Sequence, residues 1–154
     1  MEPLEIRLLD EWFKKLKRHG TYNRKWWPTL ENAKHIAQIC NIEQPMWFIE
    51  VGTGNGITAS YVAAMGIRVV TFDPADRPKV YLDPAFPLKN VPKMINFINQ
   101  TVEESLAYWL CSGKIVWSLD GFSGEKSVAS YLKTIRPLAN PGDLILLNGT
   151  TERV

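Results

Sequence analysis

The stretch Met46-Trp47-Phe48-Ile49-Glu50-Val51-Gly52-Thr53-Gly54-Asn55-Gly56 decides the fold of this 154-residue chain. Its first half is an apolar run of strand length, and its second half is a glycine-rich turn that leads into a helical pattern. Glycine has no Cβ, so such a turn can adopt positive φ and bring its backbone against a ligand. A plain structural turn has the same pattern, so the glycines alone leave two interpretations open.

A second apolar run, residues 68–73, ends in Asp73. The carboxyl ends of parallel strands meet at one edge of a sheet, where an acidic residue on the neighbouring strand can bind both hydroxyls of a ribose. Together, the glycine turn and Asp73 indicate a nucleotide-type cofactor site.

The rest of the chain continues the alternation of strands and helices. Strands are predicted at 46–51, 68–73, 94–98, 114–119 and 143–147, and helices between them at 58–65, 102–111 and 125–135. Residues 74–92 contain five prolines, counting Pro74 and Pro92 themselves, so we expect a loop with short turns there, suited to act as a lid. The pattern predicts an α/β protein with a Rossmann-like, doubly wound, mainly parallel sheet of about five strands.

Two helices are predicted in front of this sheet, over residues 4–19 and 29–40, from apolar residues at helical spacing. Residues 1–28 form the first helix and an aromatic linker, and we expect them to share one domain with residues 29–154. Trp26 and Trp27 in the linker fit anchoring of these helices better than stacking on a substrate.

Composition narrows the class of protein. Hydrophobic residues make up 45% of the chain and the net charge is +2, so one globular domain is expected and a general nucleic-acid footprint is not. Basic residues within 14–25 fit a solvated face better than an RNA contact. Cys40 and Cys111 have no metal-ligand spacing and are expected to be reduced. With no secretory segment and no apolar run of membrane-spanning length, we expect a cytoplasmic protein without membrane association.

Two common nucleotide motifs do not fit. The dinucleotide fingerprint places its third glycine three positions after the second, whereas Gly54 and Gly56 are two apart. A P-loop also does not fit, because no Gly-Lys-Ser or Gly-Lys-Thr follows a glycine loop anywhere in the chain. NAD and nucleoside triphosphates are therefore disfavoured.

The loop from Glu50 to Gly56 resembles the E-x-G-x-G-x-G loop of class I S-adenosylmethionine-dependent methyltransferases. The resemblance covers about residues 29–150 and is closest to small-molecule O-methyltransferases of the catechol O-methyltransferase type, on the segment Leu119-Asp120-Gly121-Phe122-Ser123-Gly124. It implies S-adenosylmethionine as cofactor and methyl transfer by in-line displacement to an acceptor, with the oxygen of a small molecule favoured. The alternative is an inactive cofactor-fold subunit that binds a protein or RNA partner.

The resemblance also implies a role for each matching position. Cofactor contacts fall on Glu50, Gly52, Thr53, Gly54, Asn55, Gly56, Thr58, Asp73, Asn99, Gln100, Thr101 and Asp120. Thr58 would hold the methionine carboxylate, Asp73 the ribose, and the three residues from Asn99 to Thr101 the adenine. Asp120 is the candidate catalytic base, although an aspartate there equally suits a helix cap.

Two departures from that family bear on metal and assembly. Metal-dependent members carry a second acid where this chain has Asn148, and magnesium prefers several charged oxygens, so no required metal is expected.

The hairpin that follows the fifth strand in the family has no counterpart before Val154. The fifth strand would be a sheet edge, and we expect a second copy, a partner chain or the N-terminal helices to cover it.

Overall fold

The computed structural model describes residues 2–19, 30–105, 112–120 and 125–148. The helices are α1 (Leu4–His19), α2 (Leu30–Glu43), α3 (Ile57–Ala64), α4 (Val91–Met94), α5 (Val102–Ser105) and α6 (Glu125–Ile135). The strands are β1 (Trp47–Val51), β2 (Arg68–Phe72), β3 (Ile95–Ile98), β4 (Ile115–Asp120) and β5 (Leu144–Asn148).

The five strands form one parallel sheet in the order β3-β2-β1-β4-β5. β1 lies at the centre, with Glu50 beside Thr71 of β2 and Ser118 of β4. The chain runs outward from β1 in one direction through β2 and β3, then returns to β4 and β5 on the other side. This reversal opens a crevice at the carboxyl ends of β1 and β4, where ligands bind in sheets of this kind.

Both faces of the sheet are covered, which confirms the doubly wound prediction. Phe48, Val69 and Val116 belong to an apolar cluster shared with α1, α2 and α3. Their neighbours Ile49 and Trp117 belong to a second cluster on the opposite face, which includes residues of α5 and α6. Burial on both faces explains why the strands are apolar at nearly every position.

The connection from β2 to β3, residues 74–90, is hereafter called the strap. It holds one 3-10 turn, Val80–Leu82, and is followed by the single turn of α4. The strap has no long helix because its prolines remove backbone donors and fix φ. The predicted loop with short turns is thus confirmed, and the strap takes the place of the usual crossover helix.

The two N-terminal helices pack beside α3. Asp10 of α1 accepts hydrogen bonds from Lys34 of α2, at 2.7 Å, and from the hydroxyl of Tyr61 on α3. Trp12 meets Phe86 of the strap edge to face, with ring centroids 5.2 Å apart. These polar and aromatic contacts, together with the buried Ile6, Leu9 and Phe13, attach α1 to the body of the domain. The linker with Trp26 and Trp27 lies outside the described residues.

β5 is a terminal strand of the sheet as described, and it pairs with β4. Leu147 on this strand is 48% exposed. What covers the edge stays a prediction. In the described ranges, no helix has the length and apolar character needed to cross a membrane.

Candidate cofactor site

The glycine bend, residues 52–56, joins β1 to α3 at the carboxyl edge of the sheet. Gly52, Gly54 and Gly56 all have positive φ, at 96°, 54° and 81°. Gly52 and Gly54 are partly exposed, whereas Thr53, Asn55 and Gly56 are buried. From Gly52 to Asn55, partly exposed and buried residues thus alternate, which leaves Gly52 and Gly54 as two side-chain-free positions open to a ligand.

Asp73 follows β2 directly and holds the bend from the side. Its Oδ2 accepts the backbone N–H of Gly54 at 2.9 Å, and its Oδ1 accepts that of Ala75 at 2.8 Å. The residue is only 2% exposed. The structure therefore brings together the acidic residue and the glycine bend that the sequence singled out.

A chain of buried hydrogen bonds lies beneath the bend. Thr71 donates its hydroxyl to Glu50 at 2.7 Å, and the hydroxyl oxygens of Thr71 and Thr53 are 2.6 Å apart. These three residues are 0–5% exposed. Since Thr71 uses its proton on Glu50, Thr53 donates to Thr71. The carboxylate of β1 thus fixes the second residue of the bend through a threonine of β2.

Asn55 ties the bend to the strap. Its side-chain Nδ2 donates to the carbonyl of Pro78 at 2.8 Å, and its own carbonyl accepts the N–H of Val80 at 2.9 Å. Lys79, between these contacts, is 6% exposed, donates to the carbonyl of Arg77 at 2.6 Å and lies 4.1 Å from the centre of the Phe97 ring. Burial lowers the pKa of Lys79, and the negative charges of Asp73 and Asp76 oppose that shift.

A cavity of about 210 Å³ lies beside the bend. Its lining comes from the ends of β1 and β2, the start of α5 and one residue of α6, and consists of Val51, Gly52, Phe72, Pro74, Thr101, Val102 and Tyr131. This is several times the volume of a water molecule and below that of a complete drug-sized ligand site. The cavity suits one flat, mostly apolar part of a ligand.

The remaining predicted residues are placed as follows. Thr58 lies in the first turn of α3 and is 3% exposed. Asn99 donates its amide to the carbonyls of Asp73, at 3.0 Å, and Pro74, at 3.1 Å. Gln100 is exposed, and Thr101 borders the cavity. Asp120 is the last residue of β4, and its side chain lies outside the part of the structure described here.

Among residues 2–19, 30–105, 112–120 and 125–148, no group of three or more histidine, cysteine or acidic side chains could hold a metal ion.

Two larger depressions, of about 420 and 440 Å³, lie on the outside of α6 and at the amino ends of β4 and β5. Both are open surface features away from the glycine bend. Of these three depressions in the described part of the chain, the carboxyl-edge cavity is the one that adjoins the glycine bend, and it is the cofactor candidate.

Solved methyltransferases share this architecture. The SAH-bound methyltransferase PaMTH1 of Podospora anserina matches with a TM-score of 0.65 and 16% identity, over 96% of this chain and 62% of its own. The O-methyltransferase TomG of Streptomyces achromogenes, solved with SAM, matches with a TM-score of 0.66 and 13% identity, over 96% of this chain and 66% of its own. An O-methyltransferase of Bacillus cereus, solved with SAH, matches with a TM-score of 0.63 and 14% identity, over 96% of this chain and 66% of its own. This chain has the class I methyltransferase fold.

The likeness to this methyltransferase fold lies in structure and not in close sequence. The chain matches no protein-family model and no curated protein. It spans 62–66% of the length of the three solved structures. Its activity, acceptor and partners are therefore proposals that rest on the residues of this chain.

The methyltransferase fold also reveals contacts that the sequence alone did not indicate. Thr71 is a polar residue inside a buried strand, and that is a signal, but its partner is known only once Glu50 is placed beside it. Tyr131 reaches the cavity from α6. Tyr81 packs against Gly56 so closely that a Cβ built there would lie 2.6 Å from its ring. No local periodicity marks Tyr81 or Tyr131.

Proposed function

We propose that this chain is an S-adenosylmethionine-dependent methyltransferase, with the oxygen of a small molecule as the favoured acceptor. The observation that carries the proposal is the pair of hydrogen bonds that Asp73 receives from Gly54 and Ala75. They hold a carboxylate at the tip of β2 against the glycine bend. Solved proteins with the same fold contain SAM or SAH, which supports the choice of ligand.

The residues present fit an S-adenosyl ligand in three parts. Each oxygen of Asp73 accepts one backbone N–H in the contacts above, and each has a second lone pair for a ribose hydroxyl. The apolar cavity beside Gly52 suits the adenine ring. No side chain caps the first turn of α3 at Gly56, so that turn can serve the carboxylate of the amino-acid end, together with Thr58.

Access to Asp73 requires a local movement, because the residue is 2% exposed. The strap begins at Pro74, directly after Asp73, and Ala75 donates to the same carboxylate. A shift of the strap would therefore expose the ribose position. This supports the sequence-based expectation that the segment serves as a lid.

Bound S-adenosylmethionine would supply a methyl group on a positively charged sulfur, so that an acceptor oxygen could bond to the methyl carbon in line while the carbon–sulfur bond breaks and S-adenosylhomocysteine leaves. The main demand on the protein is alignment, and fixing two reactants can contribute roughly 7–11 kcal/mol. The hydrogen bonds that link Glu50, Thr71 and Thr53 restrain the second residue of the bend and would assist this alignment. We assign the role of base for a hydroxyl acceptor to Asp120, at the carboxyl end of β4.

Two measurements test this proposal. Isothermal titration with S-adenosylmethionine and S-adenosylhomocysteine should give saturable binding. Transfer of a tritiated methyl group should then be screened over small phenols, RNA and proteins. Binding with no transfer to any acceptor class would favour the alternative of an inactive cofactor-fold subunit, and transfer to RNA or protein would overturn the small-molecule preference.

Assembly belongs to the same proposal. The edge of β5 carries Leu147 at 48% exposure, and an uncovered strand edge is a template for pairing with another chain. We expect a homo-oligomer or a partner chain at this edge. Size-exclusion chromatography with light scattering should give a mass above 17.6 kDa, and a clean monomer would exclude the homo-oligomer.

A further inference from the structure

Two buried polar atoms in the described ranges lack a hydrogen-bond partner: Oδ1 of Asn55 and the hydroxyl of Tyr81. Buried polar groups are nearly always paired, because an unpaired one has lost water without replacement. Asn55 is 6% exposed and Tyr81 is 4% exposed. Two such atoms in one small domain therefore call for a physical explanation.

Both atoms belong to side chains that adjoin Gly56. Asn55 precedes this glycine in the bend, and the Tyr81 ring lies against it from the strap, with Cε1 2.6 Å from the position of a Cβ. Side chains from two separate segments of the chain, both adjoining Gly56, thus each carry an unpaired oxygen. A common partner for both, absent from the protein itself, would explain the coincidence.

The chemistry of the two oxygens identifies that partner. The Nδ2 group of Asn55 donates to the carbonyl of Pro78, so a flipped amide would face that carbonyl with its oxygen, and Oδ1 is therefore fixed as an acceptor. Burial, and then the negative charge of Glu50, raise the pKa of Tyr81. The phenol is thus neutral, and its oxygen can also accept. Acceptors in the field of a carboxylate suit a cationic donor.

We propose that Asn55 and Tyr81 bind the primary ammonium group of the ligand's amino-acid end, and that Tyr81 is a specificity-determining residue for S-adenosyl amino acids. This inference rests on the proposed function. It adds a residue from the strap, outside the set that the sequence indicated. It also gives the strap a second function, because a strap that carries part of the site must be docked for the ammonium group to bind.

The test uses Tyr81→Phe, which removes the hydroxyl and keeps the ring on Gly56. Titration calorimetry compares S-adenosylhomocysteine, its decarboxylated analogue, which keeps the amine, and 5′-methylthioadenosine, which lacks the whole amino-acid end. The variant should bind the first two about tenfold more weakly or worse and the third unchanged, since a hydrogen bond to a charged group is lost. Its melting temperature without ligand should be equal to or above that of the wild type, because an unpaired buried hydroxyl has been removed.

Tyr61→Phe is the matched control, since Tyr61 is also a buried tyrosine and its hydroxyl is bonded to Asp10. It should lower the melting temperature and leave all three affinities unchanged. If Tyr81→Phe has unchanged affinity for every ligand, or weakens all three equally, the inference is wrong. A loss confined to S-adenosylhomocysteine would assign Tyr81 to the carboxylate and overturn the ammonium assignment. Wild-type protein that binds none of the three would overturn the proposed function as well.

Discussion

The carboxylate of Asp73 accepts the backbone N–H of Gly54 at 2.9 Å, and thereby joins the tip of β2 to the middle of the glycine bend. Helix α3 and strand β2 separate the two residues in sequence. The glycine turn and the acidic residue after β2 each have an ordinary structural explanation when taken alone. Their contact shows that they form one local structure. It is therefore the relationship on which the functional interpretation depends.

Replacement of Asp73 by asparagine should weaken S-adenosylhomocysteine binding at least tenfold, because charged hydrogen bonds to the ribose become neutral ones. Asp83→Asn is the control, since Asp83, in the strap, also accepts the N–H of the residue two positions further along, Ala85, at 2.8 Å. Titration calorimetry of both variants measures the difference. Equal affinities for Asp73→Asn and wild type would remove Asp73 from the site.

Gly56 and Gly66 provide a matched pair for the packing of Tyr81. Both have φ near +80°, but a Cβ on Gly66 meets nothing within 4 Å, whereas one on Gly56 overlaps the Tyr81 ring. Gly66→Ala should reduce the free energy of unfolding by about 1–2 kcal/mol through backbone strain. Gly56→Ala should cost a further 1–3 kcal/mol through overpacking. Urea denaturation measures both, and equal losses would show that the ring moves aside freely.

Thr71→Val should destabilise the protein by about 1–3 kcal/mol, since Glu50 loses a donor and Thr53 loses its acceptor in a buried place. It should also weaken ligand binding, because Thr53 belongs to the bend. Thr134→Val removes an exposed hydroxyl bonded to the carbonyl of Ser130 and should change the free energy of unfolding by less than about 0.5 kcal/mol. Similar changes in the free energy of unfolding for both variants would show that the buried hydrogen bonds of Thr71 contribute little to stability.

Stability should fall at alkaline pH, and Cys40 supplies one measurable part of that fall. Burial raises the pKa of its thiol to about 12 from an ordinary 9.0. Below pH 9 the thiol is protonated in both states and its contribution is constant. Between pH 9 and 12 only the unfolded chain loses the proton, so the free energy of unfolding decreases as pH rises.

Cys40→Ala removes this titrating group. Urea denaturation from pH 9 to pH 10.5 should show a decline that is shallower than in wild type by about 1 kcal/mol per pH unit. The absolute stability of the variant will be lower, because core volume is lost, so the slope and not the level is compared. Parallel curves for the two proteins would show that the folded thiol ionises near its ordinary pKa.

The strands and the sheet could be predicted from the sequence because burial on both faces makes each strand an almost continuous apolar run. Their bounds differ from the predicted ones by at most one residue, as at Trp47 and Asn148. The position of Asp73 beside the bend could be expected for a similar reason, since parallel strands end at one edge. Helix α2 continues to Glu43, three residues beyond the predicted end, because no glycine or proline stops it earlier.

The rest of the site depends on contacts that no local pattern encodes. The role of Thr71 as a hydrogen-bond donor to Glu50 depends on the strand register that places the two residues side by side. Tyr81 lies in the strap, where the prolines interrupt both helical and strand periodicity. No sequence pattern therefore predicts that its ring packs against Gly56. Asn99 was expected at the adenine, yet its amide is bonded to the carbonyls of Asp73 and Pro74. Its role at the ligand stays a prediction.

The most direct measurement is the titration of wild-type protein with S-adenosylhomocysteine, with circular dichroism to verify that the protein is folded. Binding should be saturable, with one ligand per chain, and Asp73→Asn should weaken it at least tenfold. A folded wild-type protein that shows no saturable binding would contradict the account, because the glycine bend and its carboxylate would then be parts of an α/β scaffold without a cofactor.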